Sequence, residues 1–236
     1  MGAKACILFI ACLILGLTIG LASSSPFAQE GGGFGIKANL DLPFDAAGPE
    51  DDEDEEEAPE IVVFYGQQFE SDGIFFCVDK SGSMTGQAWK RCQDEVVRNI
   101  LQFSEKVQFG IVFFDDRISK FPKTNRPAEA TPAMKVAAQA MVMSVQPGNG
   151  SCYVEGIIEA LNFANLSTVK RRLVILLGDG EVICNGNLGI RQQCLDEVKS
   201  RNTSGVKINT LCISCQSEDF MKALAAQNGG SFARVQ

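Results

Sequence analysis

Short apolar runs alternate with amphipathic helical periods from about residue 60 onward. Apolar runs bounded by turn residues are typical of strands, and apolar positions that recur every three or four residues are typical of helices. The predicted strands cover residues 61–64, 74–78, 107–114, 118–121, 173–177, 206–213 and 231–235. The predicted helices cover residues 89–103, 133–145, 154–161, 190–200 and 217–228, the last capped by the side chain of Ser217.

One pair of neighbouring strands departs from this alternation. Only three residues separate the run at 107–114 from the run at 118–121, which is too short for a crossover, so the second run is predicted to be antiparallel. We therefore expect an α/β fold with a doubly wound, mostly parallel six-stranded sheet, one antiparallel edge strand and helices on both faces. The segment 61–64 precedes this sheet as a lead-in strand.

The first 24 residues have the order of a secretory signal peptide. Lys4 is followed by an apolar run at 5–21 and by small residues at 22–25. The run has 17 residues, at the short end for crossing a bilayer, so retention as a membrane anchor is the alternative. Lipidation at Cys12 is a weaker third option, because Phe9 stands where a leucine is expected. Either main interpretation places the rest of the chain outside the cytoplasm, secreted or anchored through this segment.

Residues 25–59 read as a disordered linker. Residues 31–35 are glycine-rich, and residues 50–57 are eight consecutive acids that repel one another. This run accounts for the net charge of −8, because the rest of the chain has 21 acids against 21 Lys and Arg. We expect a solvated spacer, with specific binding of calcium or a basic partner as the alternative. Nothing predicts a basic nucleic-acid-binding surface.

The chain contains no histidine. This excludes Ser-His-Asp and Cys-His catalysis and every zinc site that uses histidine. Any metal site must therefore use oxygen ligands or thiolates.

Oxygen-bearing side chains follow three apolar or glycine-rich segments where binding loops are expected. Asp79, Ser81 and Ser83 follow the strand at 74–78, Asp179 follows the strand at 173–177, and Ser151 ends the loop before the helix at 154–161. Loops at the carboxyl ends of parallel strands meet at one edge of a sheet. Two carboxylates and three hydroxyls suit a hard divalent cation, Mg²⁺ first, with Mn²⁺ and Ca²⁺ as alternatives. Thr131 is a rival for the third hydroxyl, but it precedes a different helix.

Three segments resemble the von Willebrand factor type A domain family. Residues 74–84 (I-F-F-C-V-D-K-S-G-S-M) match its D-x-S-x-S motif between a strand and a helix, residues 173–181 resemble its strand followed by T-D-G, and residues 147–151 resemble its G-G-T loop. The resemblance covers about residues 70–236, and we assign residues 60–236 to one domain. Two departures are Ser151 and Gly178, where the family usually has threonine.

The resemblance implies a metal-ion-dependent adhesion site, or MIDAS. Its implied ligands are Asp79, Ser81, Ser83, Ser151 and Asp179, some of them through water. Such a site binds a carboxylate supplied by a protein partner, so the chain is expected to be an adhesion or protein-binding module and not an enzyme. A surface scaffold without metal and a metal-dependent hydrolase are the alternatives. The hydrolase is disfavoured because no general base is evident. In addition, no second aspartate follows Asp79 at the spacing that phosphatases with an aspartyl-phosphate intermediate use.

Seven cysteines remain if the leader is removed. Cys77 and Cys212 lie within apolar strands and are expected to be buried thiols. A Cys184–Cys194 disulfide is the first expectation, with Cys152–Cys184 as the alternative. The C-x-x-C spacing at 212–215 follows a strand and does not begin a helix, so redox catalysis is not expected there.

Overall fold

The structure is a computed structural model that describes residues 58–188 and 190–235. The predicted signal peptide or anchor and residues 25–57 of the predicted linker lie outside these residues. In chain order the strands are β1 (Ile61–Phe64), β2 (Gln67–Glu70), β3 (Gly73–Asp79), β4 (Gln108–Phe114), β5 (Ile118–Phe121), β6 (Ala128–Glu129), β7 (Arg172–Gly178), β8 (Ile183–Cys184), β9 (Asn187–Leu188), β10 (Lys207–Ile213) and β11 (Phe232–Val235). The helices are α1 (Gln87–Gln102), α2 (Pro132–Ser144), α3 (Tyr153–Leu166), α4 (Arg191–Arg201) and α5 (Glu218–Gln227). Among the described helices none is long and apolar enough to cross a membrane.

The main sheet has the strand order β11-β10-β7-β3-β4-β5. The four pairings from β11 to β4 are parallel, and β5 pairs with β4 in the antiparallel direction. This confirms the doubly wound α/β fold with an antiparallel edge strand. A two-residue seventh strand, β6, also pairs with β4, which the sequence did not indicate because the segment is too short to carry a pattern.

The central strands are buried on both faces, as continuous apolar runs predict. Every residue of β3 is buried, and successive side chains point to opposite faces. Phe76 packs in the core formed with α1 and α2, whereas Phe75 and Cys77 pack in the core formed with α3, α4 and α5. The sheet is therefore covered by helices on both sides, with its ends left for loops.

The lead-in segment forms a hairpin and not a single strand. Strands β1 and β2 pair around a two-residue turn at Tyr65 and Gly66, both of which have positive φ, of 47° and 76°. This combination is typical of the type I′ turn that matches the twist of a hairpin. Phe64 packs on Phe76 with ring centroids 5.3 Å apart, so the hairpin adds to the core beneath α1.

Two helix starts bear on the site. Thr131 caps α2 by accepting a hydrogen bond from the Met134 backbone N–H, and β6 just before it pairs with the beginning of β4. Thr131 therefore lies at the opposite end of β4 from the D-x-S-x-S turn, which agrees with the preference for Ser151. Ser217 precedes α5 but its side chain makes no capping bond, so that prediction is wrong. Its backbone N–H instead donates to the carbonyl of Asp179, which sets the path of this loop.

Candidate metal centre

The candidate site lies where the direction of the sheet's connections reverses. Strands β3 and β7 are neighbours, but β3 continues through α1 to β4 on one side, and β7 continues through α4 to β10 on the other. Loops at the carboxyl ends of two such strands diverge and leave a crevice in which ligands bind. Asp79 ends β3 and Asp179 directly follows β7, so both carboxylates are delivered to this crevice.

The D-x-S-x-S turn is held by its own first side chain. Asp79 is fully buried, and its Oδ1 accepts a hydrogen bond of 2.8 Å from the Ser81 backbone N–H. The backbone then bends through a short 3₁₀ turn anchored by the buried Met84. This bend brings the hydroxyls of Ser81 and Ser83 within 3.0 Å of each other, with Ser83 exposed to solvent.

The loop before α3 brings Ser151 to the same aspartate. Ser151 Oγ donates to Asp79 Oδ2 at 3.0 Å, across 72 positions of sequence. Its backbone N–H donates to the Ile183 carbonyl at 2.5 Å, and Gly148 N–H donates to the Lys80 carbonyl at 2.7 Å. The loop is thus fastened to the segments that follow both β3 and β7.

Asp179 is fully buried and only partly hydrogen-bonded. Its Oδ1 accepts from the Glu181 backbone N–H at 2.9 Å, and its carbonyl accepts from the N–H groups of Gln216 and Ser217. Its Oδ2 has no hydrogen-bond partner among the described residues. A buried carboxylate oxygen without a donor is costly, and it is a position where a bound cation would supply the missing partner.

The residues expected from the sequence therefore come together around Asp79. Ser81 and Ser151 bond to it directly, Ser83 contacts Ser81, and Asp179 is close enough to perturb its ionisation. Sequence reasoning missed two further contributors, which are a tyrosine and a buried ion pair.

Tyr153 is the first missed contributor. Its hydroxyl donates to Asp79 Oδ2 at 2.9 Å and accepts from the Gly180 backbone N–H at 2.8 Å. A tyrosine at the first position of a helix gives no signal of such a role, since aromatic residues there are ordinary core residues.

The second missed contributor is the ion pair of Lys80 with Asp115, both of them buried. Asp115 follows β4, and its carbonyl also accepts from the Cys152 backbone N–H. A Cβ on Gly148 would lie 1.8 Å from Asp115 Oδ2, so only glycine allows the Ser151 loop to approach this pair. The available signal was an aspartate at the end of an apolar strand, the same signal that identified Asp79.

Comparison with known proteins agrees with this geometry. A sequence model of the von Willebrand factor type A domain matches residues 73–236. The chain belongs to this family. The resemblance inferred from the three motifs is thereby confirmed, and residues 73–236 are called the vWA domain below.

Similar proteins include a curated relative and several solved structures. Inter-alpha-trypsin inhibitor heavy chain H4 from Homo sapiens is 23% identical over 172 residues, which are 69% of this chain and 18% of that protein. The structure of a von Willebrand factor type A protein from Catenulispora acidiphila covers 76% of this chain and 46% of its own, with a TM-score of 0.63 and 14% identity. Proximal thread matrix protein 1 from the mussel byssus, described with a zinc-occupied MIDAS motif, covers 75% of this chain and 44% of its own, with a TM-score of 0.53 and 19% identity. At these identities the structural likeness shows the fold.

Burial and like charge dominate the electrostatics around Asp79 and Asp179, which together with the three serines are called the vWA site below. Burial first, and the neighbouring carboxylate of Asp179 second, raise the pKa of Asp79 from 3.8 to about 7. Burial likewise raises the pKa of Tyr153 well above its ordinary value, so its hydroxyl keeps its proton and can donate. Among the described residues neither Asp79 nor Asp179 pairs with a basic side chain, because the adjacent Lys80 is engaged by Asp115.

A hard divalent cation fits this donor set. Two buried carboxylates, one of them with an unpartnered oxygen, stand beside three serine hydroxyls and no described basic group neutralises them. Oxygen donors of this kind are those that Mg²⁺, Mn²⁺ and Ca²⁺ prefer. Asp79, Ser81, Ser83, Ser151 and Asp179 are the residues that would hold the ion.

Two disulfides brace the loops of the vWA site. Cys152 pairs with Cys184, which joins the Ser151 loop to the segment after Asp179. The expected Cys184–Cys194 pairing is wrong, because Cys194 lies on the face of α4 that is buried against the sheet, where it is a free thiol.

The second disulfide corrects another expectation. Cys212 pairs with Cys215 and is not a free thiol, whereas Cys77 is a buried thiol as predicted. Cys212 Sγ lies 3.5 Å from the Asp179 carbonyl oxygen, so this bridge contacts the backbone of the second aspartate.

Proposed function

We propose that this chain is an extracytoplasmic binding module in which a divalent cation joins the vWA domain to an acidic group of a protein partner. The observation that carries the proposal is Asp179 Oδ2, a buried carboxylate oxygen without a hydrogen-bond partner beside a second buried carboxylate. The cation would supply a Lewis-acidic position that accepts an anionic oxygen from the partner. Mg²⁺ is proposed first, with Mn²⁺ and Ca²⁺ as alternatives.

The exposure of the site residues supports binding from outside. Asp79, Ser151 and Asp179 are buried, whereas Ser83 is exposed at the open side of the turn. The neutral hydroxyls leave the ion short of negative charge, which favours recruitment of a further carboxylate. The mussel byssus protein with a zinc-occupied MIDAS motif supports the use of a divalent cation by this fold.

The proposed location outside the cytoplasm is supported by the disulfides. Two bridges lie within the described residues, and disulfides persist in oxidising compartments. The predicted signal peptide or anchor at residues 1–24 would direct the chain there and would be its link to a membrane if it is not cleaved. The proposal is binding and not catalysis, since both buried carboxylates of the described crevice, Asp79 and Asp179, are assigned to the cation.

The metal half of the proposal is tested with the full chain. Calorimetric titration with Mg²⁺, Mn²⁺ and Ca²⁺ should show one site, and Ser83→Ala should weaken binding because it removes one hydroxyl from the exposed side of the turn, where it contacts only the Ser81 hydroxyl. Ser200→Ala is the matched control, since Ser200 is also exposed but bonds only to a carbonyl within α4. Absence of binding by the unaltered protein would favour the metal-free scaffold.

The partner half is tested by capture from the extracellular fraction of the source. Protein retained by the full chain in Mg²⁺ should be released by EDTA. It should also fail to bind after its carboxylates have been amidated with a carbodiimide and an amine. Retention that survives both treatments would contradict a carboxylate bridged through the cation.

A further inference from the structure

The hydroxyl of Tyr153 joins the two strand ends of the candidate metal centre. It donates to Asp79 Oδ2 at 2.9 Å and accepts from the Gly180 backbone N–H at 2.8 Å. Gly180 immediately follows Asp179, so one buried hydroxyl links the end of β3 to the turn after β7. No metal ligand predicted from the sequence makes both of these connections.

The ring that carries this hydroxyl is held in a fixed position. Tyr153 is fully buried, and its ring packs edge-on against Phe114 and Phe220, with centroids 4.9 Å and 5.4 Å away. Because Ser151 lies two residues earlier, the start of α3 delivers two hydroxyls to the same carboxylate oxygen, Asp79 Oδ2.

Gly178 leaves the space that the Tyr153 hydroxyl occupies. A Cβ at position 178 would lie 2.3 Å from the Tyr153 hydroxyl oxygen and 2.9 Å from Asp79 Cβ. A side chain at position 178 and a hydroxyl on residue 153 therefore exclude each other. The departure from threonine at this position thus has a physical reason in this chain.

We propose that Tyr153 is a positioning residue of the cation site, whose hydroxyl holds the Asp79 carboxylate and the turn after Asp179 in place, and that Gly178 is required to leave room for it. The inference rests on the proposed function. Groups that orient metal ligands without touching the metal typically contribute about 10- to 100-fold to metal affinity. We expect an effect of this size from the Tyr153 hydroxyl.

The first test is Tyr153→Phe in the full chain, with Mn²⁺ alone as the probe. Electron paramagnetic resonance of free and bound Mn²⁺ gives the affinity and the symmetry of the bound ion. We expect affinity to fall by about 10- to 100-fold and the spectrum of the bound ion to change, because Asp79 loses a donor that orients it. Melting in EDTA shows in parallel whether the variant is folded.

Tyr65→Phe is the matched control. Tyr65 is the other tyrosine of the chain, and its hydroxyl is buried without a hydrogen-bond partner among the described residues. Removing it also deletes one buried phenolic oxygen, but at the hairpin beside α1. Its Mn²⁺ affinity should match that of the unaltered protein.

A second pair of variants approaches the same hydroxyl from the opposite side. Gly178→Ala should displace the Tyr153 hydroxyl and lower Mn²⁺ affinity. In the Tyr153→Phe background the same Cβ no longer meets a hydroxyl and keeps only its contact of 2.9 Å with Asp79 Cβ, so its additional effect should be smaller than in the unaltered protein. Such non-additivity measures direct coupling between the two positions, whereas additive losses would contradict it.

The outcomes separate this inference from the proposal on which it rests. If the unaltered protein does not bind Mn²⁺, the proposed function fails and the inference fails with it. If the unaltered protein binds Mn²⁺ and Tyr153→Phe binds it equally well, only the inference is overturned. A lower melting temperature of Tyr153→Phe in EDTA with unchanged Mn²⁺ affinity would assign the hydroxyl to stability alone.

Discussion

Replacement of Asp179 by asparagine removes a buried negative charge while keeping the shape of the side chain. Oδ1 can still accept from the Glu181 backbone N–H, and Oδ2 has no partner to lose among the described residues. The repulsion between this residue and Asp79 disappears. In EDTA we therefore expect Asp179→Asn to leave the free energy of unfolding unchanged or to raise it.

The size of the stability gained by Asp179→Asn, and its dependence on pH, follow from the electrostatics of Asp79. The pKa of Asp79 rises from 3.8 to about 7, with burial as the first cause and Asp179 as the second. A displacement of this size corresponds to about 4 kcal/mol in all, and Asp179 contributes less to it than burial does. A raised pKa means that the stability present below pH 3.8 is lost as the pH rises through about 7. The gain from Asp179→Asn should therefore be seen at pH 8 and should vanish near pH 4.

With a cation present, the effect of Asp179→Asn on the free energy of unfolding should reverse, so that the variant is less stable than the unaltered protein. The unaltered protein should be stabilised by Mg²⁺ at pH 8, since an ion that binds only the folded state shifts the unfolding equilibrium. Asp179→Asn should lose most of this stabilisation, because removing one of two buried charges should lower affinity by about 100-fold or more.

Urea unfolding of the full chain in EDTA and in Mg²⁺ measures both effects. Asp115→Asn is the matched control, because Asp115 is also a buried aspartate but pairs with Lys80. Breaking a buried ion pair from one side typically costs about 3–5 kcal/mol, with or without Mg²⁺. If Asp179→Asn is destabilised in EDTA like Asp115→Asn and Mg²⁺ changes neither, Asp179 is a structural acid and the reasoning is refuted.

Three further outcomes follow from the same contacts. Mn²⁺ affinity should fall by up to about tenfold per pH unit below pH 7, since a proton must leave Asp79 before the ion binds. Calorimetry from pH 5 to pH 8 measures this, and an affinity that does not change over that range would contradict it. Replacing Cys152 and Cys184 by serine should lower the free energy of unfolding by about 4 kcal/mol. Replacing Cys212 and Cys215 should lower it by about 2 kcal/mol, because that bridge closes a much shorter loop. Equal losses in urea unfolding would count against this. Gly156→Ala would place a Cβ 2.5 Å from the Phe114 ring. The resulting overpacking should cost about 1–3 kcal/mol and should weaken Mn²⁺ binding by shifting the start of α3, whereas unchanged melting and affinity would contradict the close packing.

Part of this protein follows from local pattern alone. The apolar runs at 74–78 and 173–177 predicted the central strands, and the short separation between β4 and β5 predicted the antiparallel edge, because both signals depend only on nearby residues. The same is true of D-x-S-x-S, since Asp79, Ser81 and Ser83 lie on one turn.

The side chains around Asp79 that the sequence missed come from residues far apart in the chain. The hydrogen bond of Tyr153 to Asp79 spans 74 positions. The sequence offered Cys152–Cys184 as the alternative disulfide, and the buried position of Cys194 on α4 decides in its favour. The sequence pattern places an aromatic residue at the start of a helix or a cysteine in a loop, but it does not show which distant residue that side chain contacts. The sequence by itself therefore determined the sheet, its edge and the oxygen atoms that end its strands. Only the tertiary structure decided which donors meet Asp79 and that one oxygen of Asp179 is left without a partner, because those facts arise where strands and loops from distant parts of the chain are packed together.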